Sequence, residues 1–193
     1  MAKEAPYIVL VRELPAHRRL EVAPALVTEW LRGLPMRDAL GAPDPDPQAG
    51  DGTAELDLYA DGTHAFASGT LRGHLVVACS RCIGPVRLAL DEKLRVTFMP
   101  PGEMPQEDEA GSEDGAEVAE EDLDTFPFDG ERIDLEPVLR EQFVLAVPFA
   151  PLCREDCKGL CPQCGIDLNT GTCTCEKPVD PRLAALKGLK IPS

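Results

Sequence analysis

Alternating apolar and polar residues predict that β-strands form much of this chain. Such alternation places every second side chain on one face of a sheet, as in half-buried strands. The Asp61-Gly62 pair adds a hairpin turn signal. The pattern predicts strands in residues 7–14, 54–59, 63–71, 71–78 and 86–99, and a short extended segment in 126–133.

Helical spacing of apolar residues occurs in three other stretches. Residues 24–34 carry one apolar stripe, with Trp30 as an expected core anchor. A second helix is predicted to follow Asp134, whose side chain can accept backbone N–H groups of the first turn, and to end near residue 146. A third is predicted from residue 180 onwards. The expected fold class is α+β, a mostly antiparallel β meander with a few helices.

The acidic residues are concentrated in one segment. The net charge is −15, and residues 103–124 contain eleven Asp or Glu and no Lys or Arg. Because a polar segment of one charge sign buries too little apolar area to offset the entropy lost on ordering, we expect a disordered loop. It would be either a solvated spacer or an electrostatic mimic of nucleic acid.

The eight cysteines lie in two clusters that predict metal binding. Cys161-Pro-Gln-Cys164-Gly165 has the spacing of a zinc knuckle, in which two sulfurs face one point and the glycine allows a positive φ. Eight thiolates match two closed, four-ligand Zn²⁺ sites. The candidate ligands are Cys79, Cys82, Cys153, Cys157, Cys161, Cys164, Cys173 and Cys175.

We expect the last four cysteines to surround one ion, because a short loop joins their two pairs into a compact C-terminal zinc-knuckle module. The first four would then form a second site that joins the tail to the body of the domain. A single zinc site with several spare thiols is the alternative. The expected organisation is a β-rich region in 1–102 with the first cysteine pair, the acidic loop in 103–124, a strand and helix completing the same domain in 125–152, and the zinc module with a final helix in 153–193.

Disulfides and a redox-active dithiol are the competing interpretations of these cysteines. Disulfides are typical of small secreted chains, and we expect no secretory leader at Met1. A thioredoxin-like pair should begin a helix, whereas Cys164 is followed by Gly165 and a loop. Both interpretations remain alternatives to zinc binding, which is the preferred one.

The sequence offers no sign of a membrane span or of catalytic chemistry. No run of about eighteen apolar residues occurs, so we expect a cytoplasmic protein without a membrane partner. We recognise no nucleophile paired with a base, no phosphate-binding loop and no open metal position. The chain is therefore expected to be neither an enzyme nor a binder of a small-molecule substrate.

Four motifs follow one another along the chain: Cys79-x-x-Cys82 in the β meander, Ile133-Asp-Leu-Glu-Pro137, Cys157-Lys-Gly-Leu-Cys-Pro-Gln-Cys-Gly165 with Leu168-Asn169 after it, and Asp180-Pro-Arg-Leu-Ala-Ala-Leu-Lys187. Together they resemble the YceD family of large ribosomal RNA subunit accumulation proteins. The resemblance implies a cytoplasmic, non-enzymatic bacterial factor for 23S ribosomal RNA accumulation and large-subunit assembly, which contacts ribosomal RNA or a ribosomal protein. It also carries the eight cysteines over as metal ligands.

Candidate RNA contacts are cations near the cysteines and on the last predicted helix: Arg81, Lys158, Arg182, Lys187 and Lys190. Residues 153–193 are nearly neutral, with six basic and five acidic residues, so the strong positive charge of many RNA-binding modules is missing. A thiol-based redox or metal-handling protein therefore remains the alternative function. A zinc ribbon of a transcription complex is a weaker third hypothesis, since such a ribbon would carry more basic and aromatic residues.

Overall fold

The computed structural model describes residues 6–44, 46–104 and 124–175. Two short 3-10 turns, Val11–Glu13 and Pro101–Glu103, accompany the regular elements. In chain order the strands and helices of these residues are β1 Ile8–Leu10, β2 Ala16–Val22, α1 Pro24–Trp30, α2 Pro35–Asp38, β3 Gly50–Asp61, β4 His64–Ala78, β5 Pro85–Met99, β6 Thr125–Pro127, β7 Arg132–Asp134 and α3 Glu136–Leu145.

Strands β2 to β6 form one five-stranded sheet. The first four pair as an antiparallel meander, and β6 is parallel to β5. Strands β3 and β4 meet in a tight turn, in which Asp61 pairs with His64 and Gly62 has a φ of 60°. The α+β, mostly antiparallel class predicted from the sequence is confirmed.

The apolar face of the sheet packs against the helices. On β3, Ala54, Leu56 and Leu58 are buried, as the alternation predicts. Helices α1 and α3 meet through Trp30 and Phe143, whose ring centroids are 5.6 Å apart. Trp30 is thus the core anchor that its position in the helical stripe predicts. A separate two-stranded sheet, β1 with β7, brings the N-terminal segment beside the start of α3.

Asp134 lies at the start of α3, as expected. The Asp134 carboxylate accepts the backbone N–H of Glu136 at 3.0 Å, and a proline occupies the first turn. Burial of Val138, Leu139 and Phe143 gives the helix its packed face.

Strand assignments near the N-terminus differ from the sequence prediction. The apolar stretch 7–14 is a strand only over Ile8–Leu10, because a 3-10 turn follows. Strand β2 was not predicted, although Leu20 and Val22 are buried and Glu21 is exposed. The segments predicted at 63–71 and 71–78 are one continuous strand, β4.

A buried ion pair anchors the loop before β3. Arg37 of α2 donates to the Asp46 carboxylate, and its other guanidinium nitrogen donates to the Val76 carbonyl of β4 at 3.2 Å. The Asp46 backbone N–H donates to the Thr28 hydroxyl at 3.1 Å. The loop before β3 is therefore attached to α1, α2 and the sheet.

Two predicted segments lie outside the described residues: most of the acidic loop, at 105–123, and the helix expected from residue 180. Within the described part of the chain, no helix is long and apolar enough to cross a membrane.

Candidate metal centres

Four sulfur atoms meet at the end of the β4–β5 hairpin. The hairpin turn supplies two of them and is closed by the Ile83 N–H, which donates to the Cys79 carbonyl at 2.9 Å. The segment after α3 supplies the other two and is attached where the Ser80 N–H donates to the Pro151 carbonyl at 2.8 Å. We call this set the first cysteine group: Cys79, Cys82, Cys153 and Cys157.

A second set of four sulfurs lies within a compact turn unit. The Gly165 N–H donates to the Cys161 carbonyl at 2.9 Å, and Gly165 has a φ of 73°, the conformation predicted for the knuckle. A short antiparallel bridge between Leu160 and Asp167 closes the loop. We call this set the second cysteine group: Cys161, Cys164, Cys173 and Cys175.

The first knuckle has the same backbone shape without a glycine. Ile83 follows Cys82 and has a φ of 62°. A β-branched residue adopts this conformation only when its surroundings impose it, at a cost of roughly 1–3 kcal/mol. The chain thus holds a strained residue beside the first group.

The sulfur spacing fits tetrahedral zinc in both groups. The short distances are 3.9 Å for Cys79–Cys157, 3.7 Å for Cys82–Cys153, 3.5 Å for Cys164–Cys173 and 3.3 Å for Cys161–Cys173. All ligand atoms of a group lie within 4.8 Å of one another. Four sulfurs at a Zn–S distance of about 2.3 Å would be separated by about 3.8 Å. The two groups are also the two sets of four that the sequence predicted; their zinc occupancy stays a prediction.

Backbone donors favour a thiolate in the first group. Burial opposes ionisation of Cys79, but backbone N–H groups, including that of Arg81, outweigh it and lower the pKa of this thiol to about 6. Burial and the neighbouring sulfurs raise the pKa of Cys153 to about 12. The chain thus supports some negative charge here, while the proximity of the sulfurs opposes full ionisation.

The second group likewise contains one thiol of lowered pKa and one of raised pKa. Backbone N–H groups of Cys164 and Gln163 lower the pKa of Cys161 to about 6. A backbone N–H of Cys175 favours the Cys173 thiolate, but adjacent sulfurs raise the pKa of Cys173 to about 12. A divalent cation would remove this repulsion and allow all four thiols to ionise.

Two residues connect the groups, Arg81 through its backbone carbonyl and Asn169 through its side chain. Arg81, in the hairpin turn, donates to the carbonyls of Glu155 and Cys157 at 3.1 and 2.9 Å, and its own carbonyl accepts the Leu160 N–H at 3.1 Å. Asn169, in the loop of the second group, donates its amide N–H to the Cys157 sulfur at 3.4 Å. The second unit therefore contributes a hydrogen bond to a ligand candidate of the first.

The predicted RNA contacts have different outcomes. The Arg81 guanidinium is used within the protein, as just described. Lys158 is exposed, and its backbone N–H donates to the Asn169 amide oxygen at 2.8 Å. Arg182, Lys187 and Lys190 lie outside the described residues. RNA contact by any of these residues stays a prediction.

The bridging role of Asn169 was missed in the sequence analysis. Leu168-Asn169 formed part of the motif that carried the family resemblance, but no role was assigned to the amide. A separation of twelve residues from Cys157 does not indicate a contact in the sequence, because Asn169 reaches this sulfur only when the knuckle folds back. Asp167 supports the amide, since its carboxylate accepts both the Asn169 backbone N–H, at 2.8 Å, and the side-chain N–H, at 2.7 Å.

Comparisons with known proteins place these cysteines inside a recognised family region. The model of "Large ribosomal RNA subunit accumulation protein YceD" matches residues 67–190, a range that includes both cysteine groups. No solved structure matches the chain.

Curated relatives agree with the family match. An uncharacterized protein of Mycobacterium bovis is 34% identical over 134 residues, covering 68% of this chain and 59% of the relative. The maize protein "Large ribosomal RNA subunit accumulation protein YCED homolog 1, chloroplastic" is 31% identical over 140 residues, covering 63% of this chain and 47% of the relative. The chain thus spans about half to three fifths of the length of these relatives. The family match covers well over half of the chain, and the chain belongs to the YceD family.

Proposed function

We propose that the chain is a non-enzymatic zinc-binding factor that supports accumulation of 23S ribosomal RNA and assembly of the large ribosomal subunit. It would act by binding ribosomal RNA or a ribosomal protein. The cytoplasm is the compartment we propose, because reducing conditions keep thiols available for metal.

The observation that carries the proposal is the pair of four-sulfur groups within the family-matched residues. Four thiolates complete the tetrahedral shell of Zn²⁺ and leave no position for water or substrate, which is typical of structural sites and not of catalytic ones. The first group joins the β4–β5 hairpin turn to the segment after α3. Its cysteines Cys82 and Cys153 are 71 residues apart in sequence. Zinc would therefore act as a cross-link that shapes the binding surface.

Two measurements test the proposal. Metal analysis of purified protein is expected to give two zinc ions per chain. In cells whose own copy is deleted, a Cys79→Ser, Cys157→Ser chain is expected to leave the ratio of 23S to small-subunit ribosomal RNA low, whereas the wild-type chain restores it. Ser80→Ala is the matched control, because Ser80 lies in the same turn and its backbone, not its side chain, makes the contact with Pro151.

The two parts of the proposal can fail separately. An unchanged RNA ratio in the deletion strain would contradict the role in 23S accumulation. Folded protein without zinc would contradict the metal-binding part.

A thiol-based redox or metal-handling role is the second candidate. The observation in its favour is that Cys164 and Cys175 of the second group are exposed. Alkylation of native protein separates the two functions: zinc-bound thiolates should resist until a chelator is added, whereas a working dithiol should react at once.

A further inference from the structure

We propose that the solvent-facing side of the five-stranded sheet binds single-stranded RNA. This inference rests on the proposed function and assigns it a surface, distinct from the cations considered near the cysteines. We call the surface the outer face and define it by Tyr59, Phe66, Ser68, Thr70, Lys93 and Arg95.

The strand register places these six side chains together. Tyr59 pairs with Phe66, Ser68 with Arg95, and Thr70 with Lys93. Because successive side chains alternate between faces, they project opposite the buried Leu58, Ala67 and Val96. A groove of about 760 Å³ follows the part of this face that includes Tyr59, Phe66, Ser68 and Arg95.

An aromatic pair forms one end of the outer face. The Tyr59 and Phe66 rings are stacked with centroids 4.9 Å apart and an interplanar angle of 17°. Tyr59 is 49% exposed, although a ring of this size is normally buried on at least one side by packing. Exposed aromatic rings on a sheet are stacking platforms for unpaired bases, whose π faces are accessible only in single strands.

Charge pairing leaves cations on one side of this platform. Charged side chains of the outward-facing side form four cross-strand pairs: the ion pairs Arg19–Glu55 and Arg72–Asp91, and the hydrogen-bonding pairs His17–Asp57 and His74–Asp51. Arg95 and Lys93 of β5 form no ion pair with any carboxylate in the described parts of the chain. They lie on the same strand two residues apart, separated from Glu55 and Asp57 of β3 by Ser68 and Thr70 of β4.

The outer face is complementary to single-stranded RNA and not to an RNA duplex. Bases would stack on Tyr59 and Phe66 while phosphates follow Arg95 and Lys93, and the hydroxyls of Ser68 and Thr70 would lie between them. Asp124, at the groove rim, would oppose a phosphate placed there. The RNA is therefore expected to run along β5 on the side of Lys93, away from Asp124.

Stacking is tested with the full chain and a fluorescein-labelled, unstructured 12-nucleotide A/C RNA. Tyr59→Ala is expected to weaken binding by about tenfold, within the range measured for loss of one base–aromatic stack. In Tyr59→Trp, RNA is expected to quench the new exposed indole, which emits apart from the buried Trp30. Thermal unfolding of each variant checks that the sheet is intact, and a duplex of the same sequence is expected to bind more weakly.

The phosphate contacts are tested through salt dependence. Arg95→Gln and Lys93→Gln should each reduce the slope of log affinity against log salt concentration by about 0.7, the value for one phosphate contact in a single strand. Arg72→Gln is the matched control, because its guanidinium is already paired with Asp91 at 3.0 Å on the same side of the sheet. Its slope should remain that of the wild type.

The results also separate this inference from the proposed function. If cells with Tyr59→Ala and Arg95→Gln accumulate 23S RNA normally, and neither change alters RNA binding, the outer face is not the site and the proposed function stands. If the Tyr59→Trp indole responds to protein concentration or to a basic ribosomal protein and not to RNA, the face is a protein interface and the inference is wrong. A deletion strain with normal 23S RNA would instead remove the proposed function.

Discussion

Asn169 shows how one side chain can couple two candidate metal sites. Its amide oxygen accepts hydrogen bonds from the Lys158 backbone N–H at 2.8 Å and the Arg154 guanidinium at 2.7 Å. That fixes the amide nitrogen toward the Cys157 sulfur. An N–H donor stabilises a thiolate, and Asn169 contributes to lowering the pKa of Cys157, which burial alone would raise. The second group must fold around its loop to present this amide.

Asn169→Ala is expected to weaken zinc binding at the first group by about 10- to 100-fold, the usual cost of losing a partner of a metal ligand. The second group should retain its affinity, because none of its sulfurs contacts the amide in the hydrogen bonds that the described residues form. Alkylation at graded chelator concentrations, with mass spectrometry of each cysteine, gives a separate midpoint for each group. Thr170→Ala is the control, and an equal shift of both midpoints would contradict the coupling.

The buried Arg37–Asp46 pair makes a second prediction at the residue scale. Their side chains are only 6% and 8% exposed. Burial opposes ionisation of Asp46, but its hydrogen bonds with Arg37 and the Gln48 N–H outweigh this and lower its pKa below 3.8. A lowered pKa in the folded state stabilises the protein above the unfolded pKa, and the contribution is lost as pH falls through the folded pKa.

We therefore expect Asp46→Asn to lose about 3–5 kcal/mol of unfolding free energy at neutral pH, since it leaves a buried guanidinium unpaired. The difference from wild type should shrink below about pH 4, because Asp46 of the wild type then binds a proton more readily in the unfolded chain than in the folded protein. Urea unfolding at several pH values measures both effects. Asp44→Asn is the control, because its pair with Arg32 is about 60% exposed and should contribute at most about 1 kcal/mol.

At the scale of elements, glycines set how closely β3 and β4 approach. Gly69 lies opposite Leu56 in the register, and a Cβ there would overlap the Glu55 carbonyl and come within 3.0 Å of the Leu56 Cα. These are backbone atoms of the neighbouring strand, so no side-chain rotation can relieve the overlap. The centre of the sheet therefore depends on a residue without a side chain.

Gly69→Ala is expected to cost at least about 2 kcal/mol of unfolding free energy, because two paired strands must separate locally. Chemical denaturation measures the loss, and amide hydrogen exchange should increase along β3 and β4. Gly102→Ala is the comparison, since an added Cβ there meets nothing within 4 Å. Wild-type stability in Gly69→Ala would show that the strands adjust without cost.

Elements whose signals are local were predictable, whereas those that depend on partners were not. The β3–β4 turn, the β5 alternation and the Asp134 cap each depend on neighbouring residues. Strand β2 was missed because its alternating stretch carries the charged residues Arg18 and Arg19. Pairing with β3 supplies Arg19 with a carboxylate partner, Glu55, that is 36 residues away in sequence. The division of the cysteines followed from spacing, but the Asn169 contact needed the fold.

At the scale of the whole molecule, the two cysteine groups have different architectural roles. The first joins the β4–β5 turn to the segment after α3, between residues 71 to 78 positions apart. The second closes loops of nine to twelve positions within one turn unit. In the chain-entropy model, cross-linking the longer loops removes about 4 kcal/mol of unfolded-state entropy and the shorter ones about 3 kcal/mol.

Loss of the first site should therefore affect the whole molecule more than loss of the second. Cys82→Ser and Cys164→Ser are each expected to retain one zinc ion. Trypsin should cleave faster at Arg154 in Cys82→Ser, because the segment after α3 is no longer attached to the hairpin, whereas in Cys164→Ser cleavage there should stay close to wild type. Cys82→Ser should also lose about 1 kcal/mol more unfolding free energy than Cys164→Ser. Equal cleavage at Arg154 in both variants would mean that packing of α3 against the sheet, and not the first metal site, holds the tail in place.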